Sequence, residues 1–350
     1  MHAGSISLGI ICVAIQKQDD TPDRNCVFRF SLRVVQFGKM RTPYFLTLCL
    51  AAFSRIMALK IGTSLQWIEH TPQPYAIKNF YKGSSAASLV SGGVANLASD
   101  TSFDLAANAE TQGLKQYSGH RNIRLIYIIC EVPYRLVANK AAGINTLADL
   151  KGKRIGTIQS TSAAVFVTKL LATAGLRESD YTLVSGNVCM KAPCGSGTFP
   201  QQIANKQIDA FGVWEPAVEL GADALGSNAI IFQNGSVYRE VYSLYSTTQK
   251  LNDPAKRKDI VAFVRALNQT LDVFTNKPDS VYQTVASAVG MDVSVVKAVW
   301  KDHLWSGTWG PDLLPFLVDE DAYLAKKDNR AAVAKAELEK FLDESIIAEL

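Results

Sequence analysis

The stretch Ile144-Asn-Thr-Leu-Ala-Asp-Leu-Lys-Gly-Lys-Arg-Ile-Gly-Thr157 decides the fold, together with Gln207-Ile-Asp-Ala-Phe-Gly-Val-Trp-Glu-Pro216 further on. The first segment reads as a loop, a short helix over Thr146–Leu150, a tight glycine turn, a strand over Arg154–Ile158 and a polar turn into another helix. The second reads as a strand over Ile208–Val213 whose end delivers Trp214 and Glu215 to a surface. Two strands that end in polar residues at helix starts are how an open α/β sheet builds a ligand crevice.

Working outward, Leu59–Leu65 alternates as a strand does, and Pro72 and Pro74 suit the first turn of a helix running to about Tyr81. Phe103–Tyr117 reads as a helix capped by Asp100, Thr101 or Ser102. Ile123–Ile129 is a strand of the buried type. Ser160-Thr-Ser162 caps a helix over Ala163–Ala174, with a strand at Tyr181–Ser185 and a helix at Phe199–Asn205. Further helices are expected over Pro254–Asn276, Asp279–Val289, Val293–Asp302 and Arg330–Leu342.

The two deciding segments resemble the type 2 periplasmic-binding-protein fold, in the branch holding aliphatic-sulfonate and taurine binding proteins and the fungal thiamine-pyrimidine synthases. The resemblance runs from about Leu59 to Leu350. It implies an α/β, two-lobed architecture of open mixed sheets with flanking helices and a ligand cleft between the lobes. Lobe one would comprise 57–134 and 238–350, and lobe two 135–237. The resemblance also implies a strand within Leu89–Thr101 that ends in a ligand-facing turn; against that pattern the chain looks short between Gly83 and Leu89, where such proteins carry a second strand.

Of the 350 residues 48% are hydrophobic and 19% charged, which fits a globular chain. The net charge of +4 sits in residues 1–56, which hold seven Lys/Arg and three Asp. The rest is neutral, so the body has no electrostatic pull toward nucleic acid or an anionic membrane. Residues 1–56 read as an extension outside the fold. Ser5–Ile15 and Pro43–Phe53 are apolar runs; the second has the length and basic flank of a signal-peptide core, but both are too short to span a bilayer. A start at Met57 implies a cytoplasmic protein whose body cysteines stay reduced, with a permease an unlikely partner; secretion through the Pro43–Phe53 run is the alternative. Cys189 and Cys194 stand C-x4-C in a polar loop, a spacing that permits a local disulfide or a soft-metal contact, with nothing to complete a metal site.

The candidate ligand-binding residues follow from the strand ends. Ser160, Thr161 and Ser162 open a helix whose free N–H groups attract an anion. Ser99, Asp100 and Thr101 would mirror them on the other lobe. Trp67 and His70, with Gln66 and Glu69, sit at the mouth of lobe one; Trp214 supplies an apolar wall and Glu215 an acceptor for an amine. Glu131 and Tyr134 lie at the first crossing between lobes. The small-molecule ligand expected is anionic or zwitterionic: a sulfonate, phosphate ester, carboxylate or pyrimidine-like compound.

The synthases of this branch consume their own histidine and bound pyridoxal phosphate. Laid on Val94–Ala109, their lysine falls on Ser99 and their histidine on Phe103, neither of which can do that chemistry. The reading is therefore a hinged binding protein with no cofactor, no metal and no integral membrane segment. An enzyme of pyrimidine, thiamine or specialised metabolism on the same scaffold is the alternative.

Overall fold

The computed structural model describes residues 58–350. The expected start at Met57 and the run at Pro43–Phe53 lie outside them. Two five-stranded mixed sheets form the body. In chain order the first lobe contributes β1 (Leu59–Gly62), α1 (Pro72–Asn79), β2 (Ala87–Val90), α2 (Val94–Ser99), β3 (Leu105–Asn108), α3 (Glu110–Gly119) and β4 (Ile123–Val132). The second holds β5 (Arg135–Asn139), β6 (Arg154–Gly156), α4 (Ser162–Ala172), β7 (Thr182–Val184), α5 (Phe199–Ala204), β8 (Ala210–Val213), α6 (Ala217–Leu225) and β9 (Ala229–Gln233). The chain then returns through β10 (Glu240–Thr247) to α7 (Thr248–Asn252), α8 (Pro254–Asn276), α9 (Tyr282–Val289), α10 (Val293–Val299), α11 (Leu313–Lys327) and α12 (Lys335–Glu339).

The sheet orders are β2-β1-β3-β10-β4 and β7-β6-β8-β5-β9. In each, three parallel strands are joined by two whose pairing is antiparallel. The carboxyl ends of β1, β3, β6 and β8 therefore open toward one crevice between the sheets, the position such sheets offer to a ligand. Although β4 lies at a sheet edge, it is almost wholly buried because two later segments cover it. Leu125 N donates to Phe341 O at 2.8 Å, and Glu131 exchanges two 2.8 Å backbone bonds with Leu304.

Four sequence expectations are corrected. The first sheet is complete: β2 pairs in parallel with β1 from Leu59↔Ala87 to Gly62↔Val90. This short edge strand is half-buried throughout and shows no alternation, so its sequence carried no strand signal. Ser84 and Ser85 pin it to α8 by hydrogen bonds to the Asp259 carboxylate.

The second correction concerns 89–119. The expected strand-turn over 89–101 contains α2, and the expected helix over 103–117 is split into β3 and α3. Leu105-Ala-Ala favours a helix by intrinsic propensity, and tertiary pairing overrides it. Asp104 locks the strand in place: it accepts Lys60 N at 3.0 Å and forms ion pairs with Lys250 at 2.8 Å and Lys256 at 2.9 Å. Gly93 is required at the preceding turn, since a Cβ there would lie 2.1 Å from Asn108 Oδ1, the atom that accepts Val94 N.

Third, the C-terminal helix expected over 330–342 is reduced to α12, while α11 carries no clear apolar stripe in the sequence. Its buried face includes Glu320 and Asp321 beside Leu313, Leu317 and Leu324, so carboxylates interrupt the apolar period. Fourth, Cys189 and Cys194 form a disulfide, Cα–Cα 5.7 Å, and so are not reduced thiols.

Candidate functional site

A cavity of about 150 Å³ lies between the lobes at the strand ends. Its lobe-one floor comes from the loop after β1. Pro72 at the start of α1 follows a single 3-10 turn, Ile68–His70, which turns Glu69 and His70 inward. Gln66 N donates to His70 Nδ1 at 3.2 Å, which leaves the ring proton on Nε2. Ser64 Oγ lies 2.8 Å from the same Nδ1, and the ring stacks on Tyr242 with centroids 4.6 Å apart. Burial lowers the His70 pKa to about 3, so the imidazole is neutral.

Glu69 lies between two histidines, 3.8 Å from His70 Nε2 and 3.8 Å from His303 Nε2. These are not ion pairs. Burial pushes the Glu69 carboxyl up to about 8, and burial lowers His303 to about 4, so all three groups are neutral near pH 7. Glu240, at the start of β10, is the second buried carboxyl of the cavity. Burial raises it well above the usual carboxylate range, and the nearby Glu69 and Glu110 add to the effect. No lysine or arginine, among the described residues, lines the cavity.

Two helix N-termini also line the cavity. Asn108, Ala109, Thr111 and Gln112 line the cavity where β3 gives way to α3. Ala109 offers no side-chain cap, so the first N–H groups of α3 point out of the helix end unanswered by it. Thr111 Oγ1 is buried and has no partner. Glu110 faces inward, accepting Tyr238 OH at 2.9 Å and Val241 N at 2.6 Å. From lobe two, Thr161 caps α4 by accepting Ala163 N at 3.2 Å, and Ser162 Oγ meets Tyr134 OH at 3.1 Å. Trp67 and Trp214 close the remaining side edge-to-face, 5.4 Å apart, and the buried Trp214 Nε1 has no partner.

Of the residues expected from sequence, Trp67, His70, Tyr134, Thr161, Ser162 and Trp214 meet around this cavity. Six others do not. Ser99, Asp100 and Thr101 stand at the far end of α2, where Asp100 Oδ2 pairs with Lys60 at 3.4 Å. The lobe-one helix start that faces α4 is α3 instead, one strand further along the chain. Ser160, at φ 61°, directs its carbonyl to Lys115 Nζ across the lobes at 2.9 Å. Glu131 pairs with Arg239 at 3.1 Å. Glu215 turns behind Trp214 to Arg135, whose Nε donates at 2.7 Å, and its other oxygen accepts Glu219 N at 3.0 Å. Arg135 also reaches Glu219 at 2.8 Å.

Ser64, Asn108, Ala109, Thr111, Gln112, Glu240 and Tyr242 were not singled out in the sequence. Glu240 alone carried a signal, as the one charged residue of the strand that opens Glu-Val-Tyr-Ser-Leu-Tyr. The synthase overlay also moves out of the cavity. Ser99 ends α2, and Phe103 is buried in the core with Lys60 Nζ 3.9 Å from its ring centroid, so neither position bears on what the cleft can do.

The family described as NMT1/THI5-like matches residues 84–281, more than half of the chain. The chain belongs to the NMT1/THI5-like family. Among curated relatives, a protein of Brucella abortus named as a binding protein is 32% identical over 84 residues. The match covers 24% of this chain and 23% of that relative's length. The alkanesulfonate-binding protein SsuA of Xanthomonas axonopodis pv. citri, bound to MOPS, superposes with a TM-score of 0.59 at 16% identity over 83% of this chain and 99% of that one. The periplasmic aliphatic sulphonate binding protein SsuA of Escherichia coli gives 0.61 at 13% identity over 80% and 91%. This NMT1/THI5-like chain thus has the two-lobed periplasmic-binding-protein fold. The expectation of a cytoplasmic protein is corrected by the same comparison: the neighbouring folds are those of periplasmic, hence exported, proteins. The argument against a permease partner, which rested on it, falls too. Among the described residues no helix is long and apolar enough to cross a membrane, and no three His, Cys, Asp or Glu side chains are grouped to hold a metal ion.

Proposed function

We propose that this chain is a small-molecule binding protein that closes its lobes on a zwitterionic ligand. The anionic end rests on the N-termini of α3 and α4, and a protonated amine or N–H-bearing ring rests against Glu69 and Glu240 between Trp67 and Trp214. One observation carries the reading: two helix N-termini and two buried carboxyls line the same cavity, with no basic side chain among them. Helix N-termini favour an anion. Burial holds the two carboxyls protonated, and a cation placed beside them favours their ionised form. A ligand that is only a sulfonate or phosphate would engage the helix N-termini and leave the two carboxyls without a charged partner.

Closure is supported by contacts that join the lobes around the cavity. Lys115 reaches Ser160 O, Lys169 pairs with Asp319 at 2.6 Å, and Tyr323 OH meets Thr168 Oγ1 at 3.2 Å. The crossings that would flex are the short links from β4 to β5 and from β9 to β10.

The test is a thermal-shift panel on the full chain: taurine and aminopyrimidines bearing an acidic group, against methanesulfonate, inorganic phosphate and simple alkylamines. A zwitterion at a hundredfold excess over its Kd should stabilise by about 2.7 kcal/mol. Shifts as large with methanesulfonate or phosphate as with any zwitterion would remove the reading.

A further inference from the structure

A second cavity, of about 290 Å³, adjoins the first. It is apolar. Leu65 and Trp67 from the loop after β1, Val188 and Met190 from the disulfide-closed loop of lobe two, and Ala288 near the end of α9 form its walls, with Gln66 at the edge. Trp67 lines both cavities, so one indole is the partition between a polar chamber and an apolar one.

Three features mark this groove as built. Leu65 has φ 53°, a left-handed conformation that a branched residue adopts only against strain, yet its side chain is 38% exposed along the groove. The lobe-two wall is stiffened by the Cys189–Cys194 disulfide, and Cys189 packs with Leu220 of its own lobe and with Val295 across the lobe boundary. Lys191 pairs with Asp292 at 2.8 Å and ties the same loop to the turn before α10. The walls thus come from both lobes, and an occupant would hold them together.

We infer that the groove takes an apolar arm carried on the amine end of the ligand. The inference rests on the zwitterion reading above and sharpens it to a substrate class: N-substituted zwitterions whose substituent is a compact hydrocarbon ring or short alkyl chain. Glu69 and Trp67 line the same cavity two residues apart and Trp67 also lines the groove, so a substituent on an amine held at Glu69 has the groove within reach on the far side of Trp67. The groove has no charged lining side chain and has room for a six-membered carbocycle.

Taurine and its N-cyclohexyl derivative, CHES, share one head and differ only in the arm. Calorimetric titration of the full chain should find CHES binding at least about tenfold more tightly than taurine. Ala288→Trp fills the groove from an exposed helix position and should bring the CHES-to-taurine ratio to about one. Met190→Asp, on the opposite wall, should do the same should the first variant melt abnormally. Taurine binding with CHES no tighter, or a ratio that survives both variants, overturns the groove and leaves the zwitterion cleft intact. Binding of neither compound overturns both.

Discussion

Exchanging Arg135 for methionine is expected to destabilise the protein by about 3–5 kcal/mol. The guanidinium is buried among carboxylates: Glu215 at 2.6 Å, Glu219 at 2.8 Å and Asp302 at 3.6 Å. Burial raises the Glu215 carboxyl above its ordinary value even with Arg135 beside it. Without that partner an uncompensated charge remains in the interior, which costs far more than an exposed pair does. The loss should lower Tm by roughly 5–15 °C. Adding Glu215→Gln to Arg135→Met should recover part of it, because the stranded charge goes. Since Glu215 directly follows Trp214, ligand affinity should fall in the single variant as well. A Tm within about 2 °C of wild type would show that the buried network contributes nothing net.

The second large effect is protonic. Glu69 holds its proton up to about 8, so an ammonium ligand entering below that pH must displace the proton. Affinity for a ligand whose amine stays protonated should therefore climb about tenfold per pH unit as pH approaches 8, and the climb should slacken above it. Titration in buffers of different ionisation enthalpy should register proton release. Glu69→Gln should weaken binding and remove the slope; a slope unchanged in that variant would exclude Glu69 as the group responsible.

The same shifts set the stability of the ligand-free protein. Glu69 is raised, so its contribution is complete below its unfolded value near 4.5 and is lost as pH rises through about 8. His70 and His303 are lowered, so theirs is complete above about 6.5 and is lost as pH falls through about 4 and about 3. Above about pH 6.5 the histidines add nothing further, and Glu240, raised as Glu69 is, acts in the same direction, so Tm should fall as pH rises from about 6.5 through about 8.

The fold was legible because 144–157 and 207–216 place punctuation and period in the order that only strand–turn–helix units satisfy. The ends of β6 and β8 follow from that pattern, and with them Thr161, Ser162 and Trp214. The lobe-one half of the cleft was less legible. Leu105-Ala-Ala has no intrinsic preference strong enough to show a strand, and without β3 the start of α3 cannot be placed. Its mirror role therefore fell on Ser99–Thr101, whose Ser/Asp/Thr composition imitates a cap. Glu215 was misread for a different reason: sequence shows a carboxylate beside a cleft-facing tryptophan, but not the arginine 80 residues earlier that turns it away. Glu240 and Glu69 act as a pair only because β10 returns beside the loop after β1, a juxtaposition of remote segments that no local pattern encodes.

The most direct test of the zwitterion cleft is a crystal structure of the chain grown with the strongest ligand of the panel. The ligand should lie between Trp67 and Trp214, with its anionic group within hydrogen-bonding distance of the first-turn N–H groups of α3 and of Ser162, and its amine against Glu69 or Glu240. A ligand bound outside this cleft, or bound within it with the anionic group toward the two carboxyls, would contradict the account.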